Sequence, residues 1–392
     1  MNLLITSDSF FPEEPGGSAR VPWEIARRLV QRGHRVQFLV RRAPDAPSFE
    51  DREGVKIISC RCRRQNILRS FWAARKAAQR ITFPLDAVHI HHPFTGAAAL
   101  LGGALRDLPK IYFFHSPWHQ EYLIRKKFFK NPSPIEKLAA WARRRVESFA
   151  LRRCDRILTL SQFMTNQLRS VHRVPAEKID RISGAADIQR FSPRLSVPDA
   201  RRALQWPLDK TLLLTVRNLE ARMGLENLLE ALRRLRATDP SLHLHIVGQG
   251  SLRPFLEEQA RRLGLQNHVT FLGFVPDEAL PLCYQAADIF VLPTRELEGF
   301  GLVTVEALAS GCPVVATQVG GSAEILKPFD RSLMALGSSA DDLLLPLQIL
   351  LKNRGRWPQL RAECARYAAQ KYSWDAVVGL VEKTTLALLK NP

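Results

Sequence analysis

The sequence lacks any long apolar run. No stretch approaches the roughly 18–20 consecutive apolar residues that a membrane-spanning helix requires, so an integral membrane protein is not expected. The first residues, Met1–Ile5, have the pattern of a buried strand and carry neither a basic flank nor a cleavage site. A secretory signal peptide is therefore not expected either, and we predict a cytoplasmic protein.

Cysteine is scarce and is not arranged for metal binding or redox chemistry. Of the six cysteines only Cys60 and Cys62 lie close together, and their spacing matches neither a zinc site nor a redox motif. We interpret the thiols as reduced and mostly buried, as in an ordinary cytosolic protein. Short internal repeats and low-complexity tracts are absent as well.

Acidic residues are too few to balance the basic ones. The chain has 38 Asp and Glu against 57 Lys and Arg, which gives a net charge of +19. Nucleotides, phospholipid headgroups and nucleic acids would all complement such a charge. Many of the arginines occur as pairs on predicted helix faces, such as Arg27–Arg28 and Arg233–Arg234, so solvated helix faces are the first interpretation and an anionic partner the second.

The remaining composition is that of a globular α/β protein. The 392 residues, 46% of them hydrophobic, are enough for two domains with full cores. Short apolar strands alternate with amphipathic helices, which predicts right-handed βαβ units and parallel sheets. We predict an N-terminal domain over 1–190, a Pro- and Arg-rich linker over 191–209, a second domain over 210–372, and a last helix over 373–390 that crosses back onto the first domain.

The segment 298–313 combines two glutamates with a glycine-containing loop. It reads EGFGLVTVEALASGCP and follows a predicted strand that ends at Pro293. Glycines let the backbone approach a ligand, and a helix start presents free N–H groups and the positive end of its dipole to anions. Glu298 and Glu306 flank this phosphate cradle, where carboxylates suit hydroxyl groups. The pattern therefore favours a ligand with a diphosphate between two polyols.

This segment resembles the signature of retaining glycosyltransferases of family 4, in which two glutamates separated by seven residues precede a stretch like ALASGCPVVAT. The resemblance implies the GT-B fold, with two Rossmann-like α/β domains whose parallel sheets face a central cleft. It also implies that Glu298 binds hydroxyls of the donor sugar and Glu306 the ribose of the nucleotide. The loop and helix start between them would contact the donor through Phe300, Gly301 and Leu302.

A second segment carries two arginines at a strand–helix turn. Arg217 ends a predicted strand, and Arg222 lies shortly before Gly224 and the next helix. Two guanidiniums at such a turn can clamp a diphosphate and offset the charge of a leaving group. In the family a Lys or Arg usually stands directly before the glycine, whereas here Met223 intervenes. We expect Arg222 to keep its charge role, and the atom that it contacts stays open.

Two features of the first half complete the expected site. His115 stands at the end of an apolar strand, where open α/β sheets present ligand-binding groups. The resemblance implies that a histidine in this position lies near the transferring sugar carbon. Gly16 and Gly17 precede the first predicted helix, and in the family this loop packs against the donor phosphates or sugar.

Further candidates follow strand ends in the second half. Phe274 and Val275 come after the strand at 269–272, and the resemblance puts this stretch against the nucleobase. The glycine turn at 319–322 precedes another helix and is a candidate to face the sugar. In the family, the contacts of the stretch around Phe274 and Val275 are made partly through backbone groups.

Three histidines, His89, His91 and His92, form a tempting metal cluster at one strand. Asp86 is the only adjacent carboxylate, and the family works without a bound metal, so we favour packing or acceptor contacts over metal binding. We expect no metal and no cofactor other than the nucleotide-sugar substrate.

Two basic stretches with aromatic residues lie within 125–145, RKKFFK at 125–130 and WARRR at 141–145. This combination suits an anionic membrane surface, and a solvated helix face is the alternative. We therefore leave open whether the protein binds peripherally to the inner face of a membrane.

Together, the residues and the resemblance imply transfer of a hexose from a UDP-, GDP- or ADP-sugar to a hydroxyl of a glycan, lipid or small molecule, with retention and without a metal. A phosphorylase would need a lysine for pyridoxal phosphate, and none near the motif fits. Nucleic-acid binding would explain the charge but not the paired glutamates. A catalytically inactive nucleotide-sugar-binding protein stays open because of the spacing at Arg222. The base, sugar, acceptor and linkage are not determined by the sequence.

Overall fold

The computed structural model describes residues 1–390 except Pro12, Pro15, 63–66, Ala104 and 128–130. The chain divides into two compact units, one formed by Met1–Gly184 with Trp374–Pro392 and the other by Ala185–Ser373. Each unit is an α/β domain with its own sheet. No helix among the described residues has the length and hydropathy that a membrane crossing demands.

The first unit contains eight strands. They are β1 (Asn2–Ser7), β2 (Arg35–Arg42), β3 (Phe49–Arg52), β4 (Val55–Arg61), β5 (Ala87–Ile90), β6 (Lys110–Phe114), β7 (Arg156–Thr159) and β8 (Ile179–Arg181). Their order in the sheet is β3-β4-β2-β1-β5-β6-β7-β8, and only the β3–β4 pair is antiparallel. The central strands are apolar over nearly their whole length because helices cover both faces of the sheet.

Helices α1 (Gly17–Gln31), α2 (Ile67–Ala78), α3 (Pro93–Leu100), α4 (Trp118–Lys127), α5 (Pro134–Arg152) and α6 (Gln162–His172) connect these strands. Local sequence fixes where several of them begin. Ser133 and Glu136 form a capping box at the start of α5, and the Ser161 hydroxyl accepts from the Met164 N–H at the start of α6. These caps satisfy backbone donors that a helix start leaves free.

The second unit has a six-stranded parallel sheet. Its strands are β9 (Thr211–Val216), β10 (Leu242–Val247), β11 (Val269–Gly273), β12 (Ile289–Leu292), β13 (Val314–Thr317) and β14 (Met334–Ala335), in the order β11-β10-β9-β12-β13-β14. Its helices are α7 (Val197–Leu204), α8 (Leu225–Leu235), α9 (Arg253–Arg262), α10 (Leu280–Ala286), α11 (Leu302–Ala309), α12 (Gly321–Leu326), α13 (Ala340–Lys352) and α14 (Trp357–Lys371). Fully buried residues such as Leu213, Phe290 and Val315 form the core around this sheet.

The last helix, α15 (Trp374–Lys390), belongs to the first unit and packs against α1. Glu382 of α15 accepts hydrogen bonds from Arg32 at 2.8 Å, and it lies 2.6 Å from Nε2 of His34. The Thr385 hydroxyl is 3.0 Å from Nε2 of the buried His89. Polar contacts from Arg32, His34 and His89 thus hold α15 on the first unit.

The stretch 191–209 lies inside the second unit rather than between the units, unlike the predicted linker. It contains α7, which starts at an N-cap, Ser196. Phe191 is fully buried against Tyr284, and Arg201 of α7 donates to the carboxylate of Asp288 at 2.5 Å. Apolar periodicity did not predict α7, because the helix is anchored to the second unit by Arg201 and not by a stripe of apolar side chains.

Two further strands, β3 and β4, were not predicted from the sequence. These strands form a hairpin at the sheet edge, and β3 is largely polar because it is only partly covered. The turn at Glu53 and Gly54 has positive φ at both residues, which matches the tight hairpin turn. As the edge strand, β3 carries little apolar periodicity, whereas β4 lies between β3 and β2 and is mostly buried.

Candidate functional site

The sheet order of the second unit creates a switch point between β9 and β12, where the helical crossovers change direction. In open α/β sheets, ligands bind at the carboxyl ends of the strands beside such a point. Arg217 follows β9 directly, and the segment from Pro293 to Glu298 follows β12. Arg217 and Glu298 therefore lie on segments that follow two neighbouring strands of the sheet.

Arg217 and Glu298 form a buried ion pair at this point. Nη2 of Arg217 lies 2.8 Å from Oε2 of Glu298, and both side chains are only 8% exposed. The Thr294 hydroxyl donates to the same carboxylate oxygen at 2.9 Å. Burial lowers the pKa of the Arg217 guanidinium, and the Glu298 carboxylate opposes that shift.

The ion pair keeps unused hydrogen-bonding capacity. Nε of Arg217 is buried and has no hydrogen-bond partner in the described part of the chain. The hydrogen bonds that described residues donate to the Glu298 carboxylate all go to Oε2. A buried donor without a partner is costly unless a ligand or water satisfies it, so this pair is a candidate binding position.

Arg222 lies beside this pair on the loop between β9 and α8. Its Nη1 donates to the Leu297 carbonyl at 2.8 Å, and its own carbonyl accepts from the Arg295 N–H at 2.8 Å. Gly224 has φ +68, and a Cβ there would lie 2.0 Å from the Pro293 carbonyl oxygen. The loop that carries both predicted arginines is therefore packed directly onto the loop that carries Glu298.

Helix α11 starts at Gly301, as the sequence predicts for the phosphate cradle. Gly301 has φ +91, and a Cβ at this residue would lie 2.8 Å from the Ser322 hydroxyl. The hydroxyls of Thr304 and Ser322 are both buried and have no hydrogen-bond partner within the described ranges. Ser322 lies in the predicted turn at 319–322, but Thr304 was not singled out, and the proximity of Ser322 to the start of α11 depends on how α11 and α12 pack.

The second glutamate, Glu306, lies one turn into α11 and is almost fully buried. Its Oε2 accepts a hydrogen bond from the Tyr284 hydroxyl at 3.1 Å. The side chains of Phe300 and Leu302 are also buried, and the Phe300 ring packs against Tyr372. Any contact of Phe300 or Leu302 with a ligand would therefore come mainly from the backbone.

Phe274 and Val275 follow β11 at the same edge of the sheet. Phe274 is 51% exposed, whereas Val275 is half-buried. Gly273 before them has φ +71, and its carbonyl accepts from the Gly248 N–H at 2.7 Å. An exposed aromatic ring held by a fixed turn is available for stacking.

The predicted residues of the first unit follow the carboxyl ends of β1, β5 and β6. His115 stacks with His91 and His92 at ring distances of 5.5 and 5.6 Å. Burial lowers the pKa of His115 to about 3, and the neighbouring His92 adds to the shift, so the imidazole is neutral at physiological pH. Gly16 precedes α1 with φ +140 and Gly17 begins that helix, and both are exposed.

The histidines His89, His91 and His92 do not converge on one point. His89 contacts Thr385 in α15, His91 stacks on Phe113 at 4.0 Å, and Nδ1 of His92 lies 3.0 Å from the Ser7 hydroxyl. Each of the three rings thus has its own packing or hydrogen-bonding role.

A different set, His119, Glu147 and His172, places one ligand atom each within 4.8 Å of one another. The Glu147 carboxylate already has hydrogen-bond partners, because its Oε2 lies 3.0 Å from His172 Nε2 and accepts from the Trp118 N–H at 3.2 Å. Burial raises the pKa of the Glu147 carboxyl, and His172 opposes the shift. The group is a buried hydrogen-bond network that joins α4, α5 and α6.

One prediction concerns the backbone that supports Glu298. Gly320 has φ +63, and a Cβ there would lie 2.0 Å from the Glu298 carbonyl oxygen. Gly320→Ala must displace that loop, and we expect the free energy of unfolding to fall by about 2 kcal/mol. Urea denaturation of the full chain measures this. Gly264 has a similar φ of +69 with no atom within 4 Å of its Cβ, so Gly264→Ala isolates the strain of φ alone. Equal losses in both variants would contradict the steric argument.

Comparisons with known proteins agree with this geometry. A family model described as "Glycosyl transferases group 1" matches residues 196–371, and one described as "Glycosyltransferase Family 4" matches residues 15–190. A D-inositol 3-phosphate glycosyltransferase of Corynebacterium aurimucosum is 30% identical over 305 residues, which cover 76% of this chain and 70% of the relative.

Solved structures show the same fold. Sucrose-phosphate synthase from Thermosynechococcus elongatus has a TM-score of 0.86 at 21% identity, and the match covers all of both chains. HepE from Anabaena, solved in complex with UDP-glucose, has a TM-score of 0.77 at 18% identity, over 99% of this chain and 100% of HepE. The predicted family and fold class are confirmed. This chain belongs to glycosyltransferase family 4 and has the GT-B fold.

Proposed function

We propose that this chain is a retaining glycosyltransferase that moves a hexose from a nucleoside-diphosphate sugar to a hydroxyl of a glycan, lipid or small molecule. The observation that carries the proposal is the buried Arg217–Glu298 pair at the switch point, beside the glycine-opened start of α11. In this pair, Arg217 is a cation that can bind a diphosphate, and Glu298 is a hydrogen-bond acceptor that can bind sugar hydroxyls. The UDP-glucose complex of HepE supports a nucleotide sugar as the donor class.

The positive groups of this site would stabilise the departing diphosphate. The Arg222 guanidinium lies close enough to Arg217 to help lower the pKa of Arg217, and the start of α11 adds the positive end of a helix dipole. Because the donors are held in place before the reaction, little reorganisation is needed as negative charge develops. The unpartnered hydroxyls of Thr304 and Ser322 would contribute two further hydrogen bonds.

The two glutamates would orient the polyol ends of the donor. Oε1 of Glu298 has no hydrogen bond from any described residue and would accept from sugar hydroxyls. Glu306, held by the Tyr284 hydroxyl, would accept from the ribose. Phe274 would lie against the nucleobase, with Val275 beside it, and Gly16 and Gly17 against the donor phosphates.

We propose a front-face reaction without a covalent enzyme intermediate. The bond between the anomeric carbon and the phosphate oxygen breaks, and its electron pair leaves with the nucleoside diphosphate. The acceptor oxygen bonds to the same face of that carbon, and its proton passes to the leaving diphosphate. His115, neutral at physiological pH, would hydrogen-bond near the transferring carbon. This route uses no metal ion and no cofactor beyond the donor.

We also propose that the protein binds an anionic membrane surface. The outer face of α5 exposes Ile135, Leu138 and Trp141 to 79%, 64% and 59%. These residues are spaced three apart, so they share one face of the helix, and Arg145 follows on the next turn. An apolar strip with adjoining basic residues suits binding at the cytoplasmic face of a membrane. Residues 128–130 of the basic stretch lie outside the described residues.

A thermal-shift panel of UDP-, GDP- and ADP-sugars tests the proposal. A true donor binds only the folded chain, so at 100 times its Kd it should add about 2.7 kcal/mol to the free energy of unfolding. We expect one nucleotide series to raise the melting temperature and the others to leave it unchanged. Nucleoside monophosphates serve as controls, since they lack the second phosphate. If no nucleotide sugar raised the melting temperature, the donor class would be wrong.

A further inference from the structure

A cavity of about 720 Å³ lies in the first unit between the second half of α5, the end of α6 and the start of β8. Its volume is in the range of small-ligand sites. Residues 144–152 precede β7, and residues 171–178 precede β8. Because β7 and β8 are parallel, the cavity lies at the amino ends of the strands. His115 and the other predicted residues of this unit lie at the opposite, carboxyl edge.

The cavity walls are strongly basic. Five lining residues carry a positive charge, namely Arg144, Arg145, Arg152, Arg173 and Lys178, and no lining residue is acidic. None of these five side chains forms an ion pair with a carboxylate in the described ranges of the chain. The lining residue His172 is paired with the buried Glu147 carboxylate, which does not itself line the cavity. Such a group of like charges repels itself and attracts an anion.

Three of the cations are held in place by backbone carbonyls. Arg144 donates to the Val171 carbonyl at 2.7 Å, Lys178 to the Cys154 carbonyl at 3.2 Å, and Arg152 to the Ser148 carbonyl at 3.3 Å. These carbonyls lie at or near the ends of α5 and α6, where cations are favoured. Each contact uses one donor, so the other N–H groups of these side chains stay available.

The remaining two cations have no such structural contact. Neither the Arg145 nor the Arg173 side chain donates to a carbonyl or carboxylate among the described residues, and the Arg145 guanidinium lies 5.9 Å from the centre of the Trp141 ring. Arg173 is the C-cap residue of α6, where the helix dipole favours a cation, whereas Arg145 lies inside α5, away from its end. Trp141 adds an apolar wall to the same cavity, which fits an organic group attached to the anion better than a bare ion.

We propose that this cavity binds a phosphate ester, presented either by a soluble phosphorylated compound or by a phospholipid headgroup. Arg145 and Arg173 bind the phosphate oxygens, the carbonyl-held cations complete the charge, and Trp141 contacts the organic part. The site is independent of the transfer reaction, because it lies at the other edge of the sheet from His115 and shares no residue with the donor contacts.

The test compares two double variants with equal change in charge. Arg145→Gln/Arg173→Gln removes the two guanidiniums of the cavity that make no hydrogen bond to a carbonyl or carboxylate of the described residues. Arg331→Gln/Arg356→Gln is the control, because both arginines are exposed in the second unit. The probes are glycerol 3-phosphate in calorimetric titrations and sedimentation with vesicles of phosphatidylcholine, with or without phosphatidylglycerol, all at one fixed salt concentration.

We expect the cavity variant to bind the phosphate probe at least about tenfold more weakly than wild type, because it loses charge-assisted hydrogen bonds to the phosphate. The control variant keeps these hydrogen bonds and should bind like wild type. Binding of glycerol 3-phosphate would assign a soluble ester, and binding only to vesicles with phosphatidylglycerol would assign the headgroup. Failure of both probes to bind wild type, or equal weakening in both variants, would overturn the site. Melting temperatures check the fold, and unchanged nucleotide-sugar binding in the cavity variant separates this result from the proposed reaction.

Discussion

Glu298→Gln is expected to lower the turnover of glycosyl transfer by at least about 100-fold, with little change in the Kd for the nucleoside diphosphate. The amide keeps the shape of the carboxylate and an oxygen that accepts from Thr294 and Arg217. It loses the negative charge that, in the proposed reaction, would hold the sugar hydroxyls and face the positive sugar in the transition state. Steady-state release of nucleoside diphosphate, with parallel binding titrations, measures both quantities.

The matched control for this variant is Glu296→Gln, since Glu296 lies in the same loop and is exposed. It removes the same charge two residues away and should keep full activity. The Glu298 variant also leaves the buried Arg217 without its carboxylate, so we expect the free energy of unfolding to fall by about 1 kcal/mol. Wild-type turnover in Glu298→Gln, or an equal loss in Glu296→Gln, would show that Glu298 does not orient the sugar.

Arg217→Ala is expected to weaken nucleoside-diphosphate binding by about 100-fold, because charge-assisted hydrogen bonds to the phosphates are lost. It also leaves Glu298 buried without its cation, and breaking a buried pair from one side lowers the free energy of unfolding by about 3 kcal/mol. Isothermal titration and urea denaturation measure the two effects. Arg331→Ala, at an exposed position of the same unit, controls for the change in net charge.

The double variant Arg217→Ala/Glu298→Gln separates binding from stability. Removing the stranded carboxylate should restore part of the lost stability, because the two residues contact each other and their effects are not additive. Nucleotide affinity should stay low, since the cation is still missing. Recovery of affinity in the double variant would mean that Arg217 acts only as a partner for Glu298 and not as a phosphate ligand.

Much of this site was predictable because its parts are local in sequence. The glycine-opened helix with Glu298 and Glu306 is one continuous segment, and the helix start follows from Gly301 itself. The contact between Arg217 and Glu298 was not predictable, because it joins residues 81 positions apart. It exists only because β9 and β12 are neighbours in the sheet.

The same limit applies elsewhere in the chain. The Thr304 and Ser322 hydroxyls meet across two helices, and the bond from Tyr284 to Glu306 depends on the packing of α10 against α11. The helix α7 was missed because its contact with the second unit is made by Arg201 and Asp288 instead of an apolar stripe. Apolar periodicity predicts elements that bury hydrophobic faces, and it does not predict elements held by ion pairs.

The most direct test of the proposed reaction is the stereochemistry of turnover with the nucleotide sugar that the thermal-shift panel selects. Purified chain, donor and candidate acceptors are incubated together, and NMR follows the anomeric proton while nucleoside diphosphate is quantified. We expect a product with the anomeric configuration of the donor, formed in step with nucleoside-diphosphate release and lost in Glu298→Gln. An inverted product, or turnover that Glu298→Gln leaves intact, would contradict a retaining reaction at this site.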